Sequence, residues 1–291
     1  MKSSLYKSEI GKREIFELYD QKLSSLAIDY QSKTLDTSFG KTHVLITGNE
    51  KAPPLMILHG SNGCAPIGLE TYPELSKAFR VFAVDVLAQP NKSAETRLSM
   101  KDNSYGEWVN EVIDQLHIKD VILTGFSFGG LLILKTLLQD ESNIKEVFLA
   151  APAFIVNGNP LIALFKVFIP MKRFMKTKKR SFLVKFLEEL FTDKDEFAHQ
   201  YLSKVFLYFD MDFTPVPVIK ASEAQQITTP IHLIAAQKDI MFPGKKMIQR
   251  AKKIFPSLKN SILLEDSKHV QGKNHNSMIE QLILESINKQ S

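Results

Sequence analysis

The string Gly125-Phe126-Ser127-Phe128-Gly129-Gly130 holds the residues whose types and spacing point most directly to chemistry. It follows a β-branched apolar run, Val121 to Thr124, and opens a longer apolar stretch, Leu131 to Leu138. A chain that turns sharply from strand to helix at a serine strains that residue's backbone and projects its hydroxyl. Glycines two residues to either side remove the side chains that would collide there. The helix start sets amide N–H groups beside the hydroxyl, where negative charge develops during attack on a carbonyl. The chemistry that fits is acyl transfer with Ser127 as nucleophile.

A serine hydroxyl needs a base to take its proton, and the base needs an acid to orient it. Of the seven histidines, His43, His117, His199 and His232 fall in strand-, helix- or insertion-like contexts and read as structural. His269 follows the apolar run Ser261 to Leu264 after the short loop Glu265-Asp266-Ser267-Lys268, from which its ring can reach over the strand ends. His275, just before the last predicted helix, is the rival base; His269 is favoured because it lies closer to the strand end. Asp239 follows the run Ile231 to Ala236 and stands 30 residues before His269, with one helix and one strand between, so it is the candidate acid. The stretch 150–159 offers no competing carboxylate. His59-Gly60-Ser61-Asn62-Gly63, after the run Leu55 to Leu58, supplies a second donor loop. The backbone N–H groups of Ser61 and Phe128 are the candidate oxyanion hole. His59 reads as a brace for that loop and, with Phe126, Phe165 and Phe168, as a candidate wall of the substrate pocket. Bulky Phe126 and Phe128 suggest an apolar acyl group. Cys64, on the same loop, reads as a small apolar filler.

These residues need a scaffold, and the sequence outlines one. Short, nearly continuous apolar runs (Leu55 to Leu58, Val81 to Val86, Val121 to Thr124, Val147 to Ala150, Ile231 to Ala235, Ile262 to Leu264) predict parallel strands covered on both faces. Helices are predicted over Tyr72 to Phe79, Tyr105 to Leu116, Gly129 to Gln139, Gly244 to Ile254 and Ser277 to Asn288, the last opened by a Ser277/Glu280 capping box. The alternation predicts an α/β sheet with right-handed crossovers, and Asp29 to Gly48 could add antiparallel edge strands. From Ile155 to about Thr229 the alternation stops, and Phe- and Lys-rich helical stretches take its place. The expected organisation is a core of residues 1–154 and 230–291 with a helical cap, 155–229, acting as a lid.

His59-Gly60, Asp85 at the end of the next strand, the elbow at Ser127, Asp239 and His269 together resemble the α/β-hydrolase superfamily, in particular its bacterial lidded esterase-like group. The resemblance runs from about Val44 to Ile287. It implies a mostly parallel eight-stranded sheet with a helical cap after the sixth strand, and Ser127, Asp239 and His269 as nucleophile, acid and base. In that family the loop after the Asp85 position is usually glycine-rich, whereas here it reads Val86-Leu87-Ala88-Gln89-Pro90-Asn91-Lys92-Ser93. The residue before the base is commonly glycine and is here Lys268. A serine at 127 in place of aspartate sets the chain apart from the dehalogenase and epoxide-hydrolase subfamilies. The expected activity is that of a carboxylesterase acting on a small or medium apolar acyl ester. The alternatives are C–C, amide or perhydrolysis chemistry by the same triad, or a non-catalytic binding protein of the same fold.

Composition narrows the rest. With 291 residues, 44% of them apolar, the chain can bury a large core. A single cysteine excludes a disulfide scaffold. Gly60, Gly63 and Gly68 miss the dinucleotide-binding spacing, and no P-loop, H-E-x-x-H or paired C-x-x-C string occurs, so no metal or cofactor is expected. The start lacks the apolar stretch of a signal peptide, and no window reaches the roughly 20 apolar residues of a membrane span, so a soluble cytoplasmic protein is expected. The net charge of +5 is uneven: residues 166–185 hold eight basic and no acidic side chains, leaving 29 basic against 32 acidic elsewhere. The basic balance therefore belongs to the expected lid. It reads first as a solvated lid face whose phenylalanines line the acyl pocket, with a weak membrane-surface contact as the alternative, and it does not suggest a nucleic-acid partner.

Overall fold

A computed structural model describes residues 4–288. The apolar runs form strands β3 (Pro54–Leu58), β4 (Arg80–Val84), β5 (Val121–Phe126), β6 (Ile144–Ala150), β7 (Ile231–Ala236) and β8 (Leu258–Leu264), after an edge hairpin of β1 (Gln31–Thr37) and β2 (Gly40–Thr47). They make one eight-stranded sheet in the order β1-β2-β4-β3-β5-β6-β7-β8. The β1/β2 and β2/β4 pairs are antiparallel and the others parallel. The α/β architecture expected from the alternation is what is found. Burial explains the patterns: four of the five β3 residues are buried, as in a strand covered on both faces, whereas edge strand β1 buries only Leu35 and Thr37.

Helices α1 (Glu9–Ser25), α2 (Ala65–Thr71), α3 (Leu75–Ala78), α4 (Ser104–Gln115) and α5 (Phe128–Gln139) belong to the first half of the chain. Between β6 and β7 stand α6 (Pro160–Ala163), a π-helical turn (Leu164–Phe168), α7 (Ile169–Thr177), α8 (Arg180–Leu190), α9 (Glu196–Tyr208) and α10 (Ala221–Ala224). The chain closes with α11 (Gly244–Ile254) and α12 (Lys273–Asn288). Among the described residues no helix is long and apolar enough to cross a membrane.

Three elements depart from the sequence expectations. Of the single helix expected over 72–79 only the short α3 forms, and α2 ends just before it at Thr71, because Pro73 biases Tyr72 out of the helical region, and Tyr72 sits at φ −135°, ψ 69°. α12 begins four residues before Ser277, so there is no capping box at Ser277. Asp193 Oδ2 accepts the Lys273 N–H at 2.8 Å, and the Glu280 carboxylate instead accepts the Glu74 N–H at 2.6 Å. α1 was not foreseen, although Ser8 caps it by accepting the Gly11 N–H and its buried stripe (Ile15, Leu18, Tyr19, Lys22, Leu23) has helical period. α1 also packs on α9 between β6 and β7: Lys7 N–H donates to Tyr208 O, Asp210 N–H to Leu5 O, and Lys204 pairs with Glu14.

α1 also fastens the structure at a fully buried polar point. Tyr19 donates to Asp85 Oδ2 at 2.9 Å, and His43 Nδ1 meets the same oxygen at 2.9 Å. Oδ1 accepts the Ala65 N–H at 2.7 Å, where α2 leaves the His59–Gly63 loop. Asp85 is fully buried, so each lost donor leaves a carboxylate oxygen short of a partner in a dry interior. Tyr19→Phe should destabilise the fold by about 1–3 kcal/mol in chemical denaturation; an unchanged midpoint would show that the contact carries no stability.

Candidate active site

Ser127 lies between β5 and α5 at φ 53°, ψ −110°, a left-handed conformation that serine enters only under constraint. The constraint is a set of backbone hydrogen bonds. Ser127 N–H donates to Ala150 O on β6, and Ser127 O accepts from Gly130 N–H and Ala153 N–H, all within 2.9–3.0 Å. Glycines at and opposite the turn are steric requirements: a Cβ on Gly129 would stand 2.0 Å from Leu58 O and 3.1 Å from His59 O, and one on Gly60, in the facing loop, would stand 2.8 Å from the Phe126 ring. Only glycine lets the start of α5 press against the loop that follows β3.

His269 comes to Ser127 from the loop after β8, with Nε2 at 3.0 Å from Ser127 Oγ. Its Nδ1 is 2.7 Å from Asp239 Oδ2. The other carboxylate oxygen, Oδ1, accepts the N–H groups of Met241 and Phe242 at 2.7 and 2.9 Å, which fixes the acid's rotamer. The Asp239 side chain is fully buried and that of His269 is 11% exposed. A carboxylate only accepts, so Nδ1 carries the ring proton and Nε2 offers its lone pair to the Ser127 hydroxyl. Phe126 and Phe242 flank the ring at centroid distances of 5.1 and 5.4 Å, keeping it among apolar neighbours. His275 lies inside α12 and makes no such contact; its Nδ1 is buried without a hydrogen-bond partner.

The donor loop is braced by the stretch 86–93 that replaces a glycine-rich one. His59 Nε2 accepts the Val86 N–H at 3.0 Å, and its Nδ1–H donates to Gly60 O at 2.8 Å. Burial lowers the pKa of His59, consistent with a neutral ring that accepts at Nε2. Gln89 Oε1 accepts the Asn62 N–H at 2.7 Å, and Asn91 Nδ2 donates to Val86 O. Both ring nitrogens of His59 are thus spent on the backbone, so His59 shapes the loop and has no free polar group for a substrate. Among the described residues neither the Ser61 nor the Phe128 N–H donates to another group. The Ser61 amide follows Gly60, which meets the Phe126 ring, and the Phe128 amide precedes Gly129, which meets Leu58 O and His59 O.

The aromatic candidates separate. Phe126 stands beside His269. Phe128 contributes its backbone at the site while its ring is buried edge-on against Tyr105, so the bulk expected there as an acyl-pocket wall faces the core. Phe165 is 65% exposed on the π-helical turn, and Phe168 packs edge-on against Phe213.

One group went unrecognised in the sequence. Thr192, after α8, bridges the residues on either side of His269: its Oγ1 accepts the Lys268 N–H at 2.9 Å and donates to Val270 O at 2.8 Å. Thr192 N–H donates to Val270 O and Val270 N–H to Leu190 O, a short parallel bridge. The ammonium of Lys268 reaches Glu188 O at the end of α8. Lysine in place of glycine before His269 therefore ties this loop to the helices between β6 and β7. Nothing in the sequence flags Thr192, which lies 76 residues before Lys268.

A family model for the α/β-hydrolase fold matches residues 53–196. A carboxylesterase of Bacillus subtilis, Nap, is 23% identical over 95% of this chain and 93% of its own length. Carboxylesterase YbfK of the same organism is 32% identical over 50% of this chain and 49% of its own. In structure the chain is similar to naproxen esterase from Bacillus subtilis, with a TM-score of 0.82 at 22% identity over 96% and 99% of the two chains. It is also similar to CesB (YbfK), with a TM-score of 0.80 at 21% identity over 94% and 97%.

The Thr192 bridge makes a distinct prediction. Thr192→Val keeps the shape and removes both hydroxyl bonds. It should slow phosphonylation of Ser127 by a fluorophosphonate by on the order of tenfold, the value of roughly one to two hydrogen bonds, while Thr192→Ser reacts like the parent. Equal rates for all three proteins would rule out a positioning role for that hydroxyl.

Proposed function

The chain belongs to the α/β-hydrolase superfamily, and from that premise we propose that it is a serine carboxylesterase acting on small or medium apolar acyl esters. The observation that carries the proposal is the unbroken hydrogen-bond chain from Asp239 Oδ2 through His269 to Ser127 Oγ, at 2.7 and 3.0 Å.

In the proposed reaction His269 Nε2 takes the Ser127 proton as Oγ bonds to the acyl carbon. The carbonyl oxygen gains negative charge and is held by the N–H groups of Ser61 and Phe128. Asp239 keeps the imidazole in the productive tautomer and stabilises its charged form. The tetrahedral species collapses, the C–O bond to the alcohol breaks, and the proton on Nε2 goes to the departing oxygen. Water then gives a proton to Nε2 and attacks the acyl-serine. The second collapse releases the acid and returns the proton to Oγ. Every group used belongs to this chain or to water.

The apolar rings of Phe126 and Phe242 beside His269 support an apolar acyl group and disfavour a charged one there. We assign α6–α10 the role of a cap, joined to the base-bearing loop through Thr192 and Lys268.

Ser127→Ala should cut turnover of p-nitrophenyl butyrate by on the order of 10⁴-fold or more with the unfolding midpoint unchanged. His269→Ala should match it, the double variant should be no worse than either single one, and His275→Ala should turn over like the parent. Turnover by Ser127→Ala at the parental rate would end the assignment.

A further inference from the structure

We propose that the outer face of the helical run 160–177 is a docking surface for an anionic lipid bilayer. The run is continuous, from α6 through the π-helical turn into α7. Its inner stripe (Ala163, Val167, Pro170, Met171, Phe174) is buried and holds it to the protein. Its outer face changes character along its length. The first half presents Leu161, Ile162, Leu164 and Phe165, between 42% and 65% exposed. Phe213, 48% exposed and edge-on to Phe168, widens this apolar patch. Clustered apolar side chains so open to solvent are unfavourable unless something covers them.

The second half, the turn after it and α8 say what covers them. Lys172, Arg173, Lys176, Lys178, Lys179 and Lys185 are exposed, and none pairs with an acidic side chain among the described residues. Their basic neighbours Lys166 and Arg180 are already held, by Glu189 at 2.9 Å and Glu196 at 2.7 Å. Six unpaired cations that follow the exposed Leu, Ile and Phe side chains along the chain match the two layers of a bilayer surface: apolar groups enter the acyl boundary while lysines and arginine meet lipid phosphates. A second copy of the chain fits less well, because a two-fold contact through this face would set like charges together.

The test is sedimentation with vesicles of phosphatidylcholine alone and of phosphatidylcholine with 30% phosphatidylserine, at low and at physiological salt, alongside size-exclusion chromatography. The protein should sediment with the anionic vesicles, weakly or not at all with the neutral ones, and less as salt rises. Lys172→Glu with Lys176→Glu should weaken binding by on the order of 10³-fold, at about fivefold for each of the four units of charge changed near the surface. Leu161→Ser with Phe165→Ser should weaken it at both salt concentrations. Hydrolysis of a soluble short-chain ester by the Lys172/Lys176 variant should equal the parent's, which separates failure of docking from failure of the esterase assignment. Absence of sedimentation with anionic vesicles, undiminished binding by the charge-reversed variant, or a dimer that dissociates in the Leu161/Phe165 variant would each overturn the proposal.

Discussion

The structure turns on one backbone constraint: Ser127 is held at positive φ, a conformation that costs on the order of 1–3 kcal/mol and persists only where its surroundings enforce it. The enforcing groups come from β6, the segment after it and α5, through bonds to Ala150 O and from Ala153 and Gly130 N–H. That turn aims Oγ at His269 and brings the start of α5, with its unpaired Phe128 N–H, against the loop carrying Ser61. Gly129 is where two backbones come too close for any side chain, and Gly60 is where the loop meets the Phe126 ring. A parallel sheet covered on both faces is rigid enough to hold such a turn, and its strand ends open to the loops that bear Asp239 and His269.

Each remaining part of the site is held from two sides. Asp239 accepts two backbone N–H groups with one oxygen and faces His269 with the other. The Ser61 loop is fixed by Gln89 and Asn91 and, through Ala65, by Asp85, which also receives Tyr19 from α1. The His269 loop is bonded to the end of α8 through Thr192 and Lys268. The helices between β6 and β7 are thus hydrogen-bonded to the loop that carries His269.

Much of this was legible in the sequence, for physical reasons. Continuous apolar runs such as Leu55 to Leu58 signal doubly covered strands, and the glycine spacing around Ser127 is demanded by sterics, so sheet and elbow could be read directly. The choice of His269 over His275 followed from distance to a strand end, the feature that lets a loop reach across the sheet. What escaped depends on contacts remote in sequence. α1 carries a helical stripe, but its mixed charge hid it among polar residues. Glu280 had a capping-box spacing, and its carboxylate answers instead to Glu74, 206 residues away. Lys268 and the glycine-poor stretch 86–93 looked like departures until their partners, Glu188 O and the Asn62 and Val86 backbone, were in view. Thr192 has no local signature at all, because its function is to span two segments.

The most direct test of the central claim is acid-quench mass spectrometry during turnover of a p-nitrophenyl ester, whose good leaving group makes release of the acyl group the slow step. The account predicts a burst of p-nitrophenol close to one per active chain and one acyl group on the peptide containing Ser127. Ester hydrolysis with Ser127 unmodified, or with the acyl group on another residue, would contradict it.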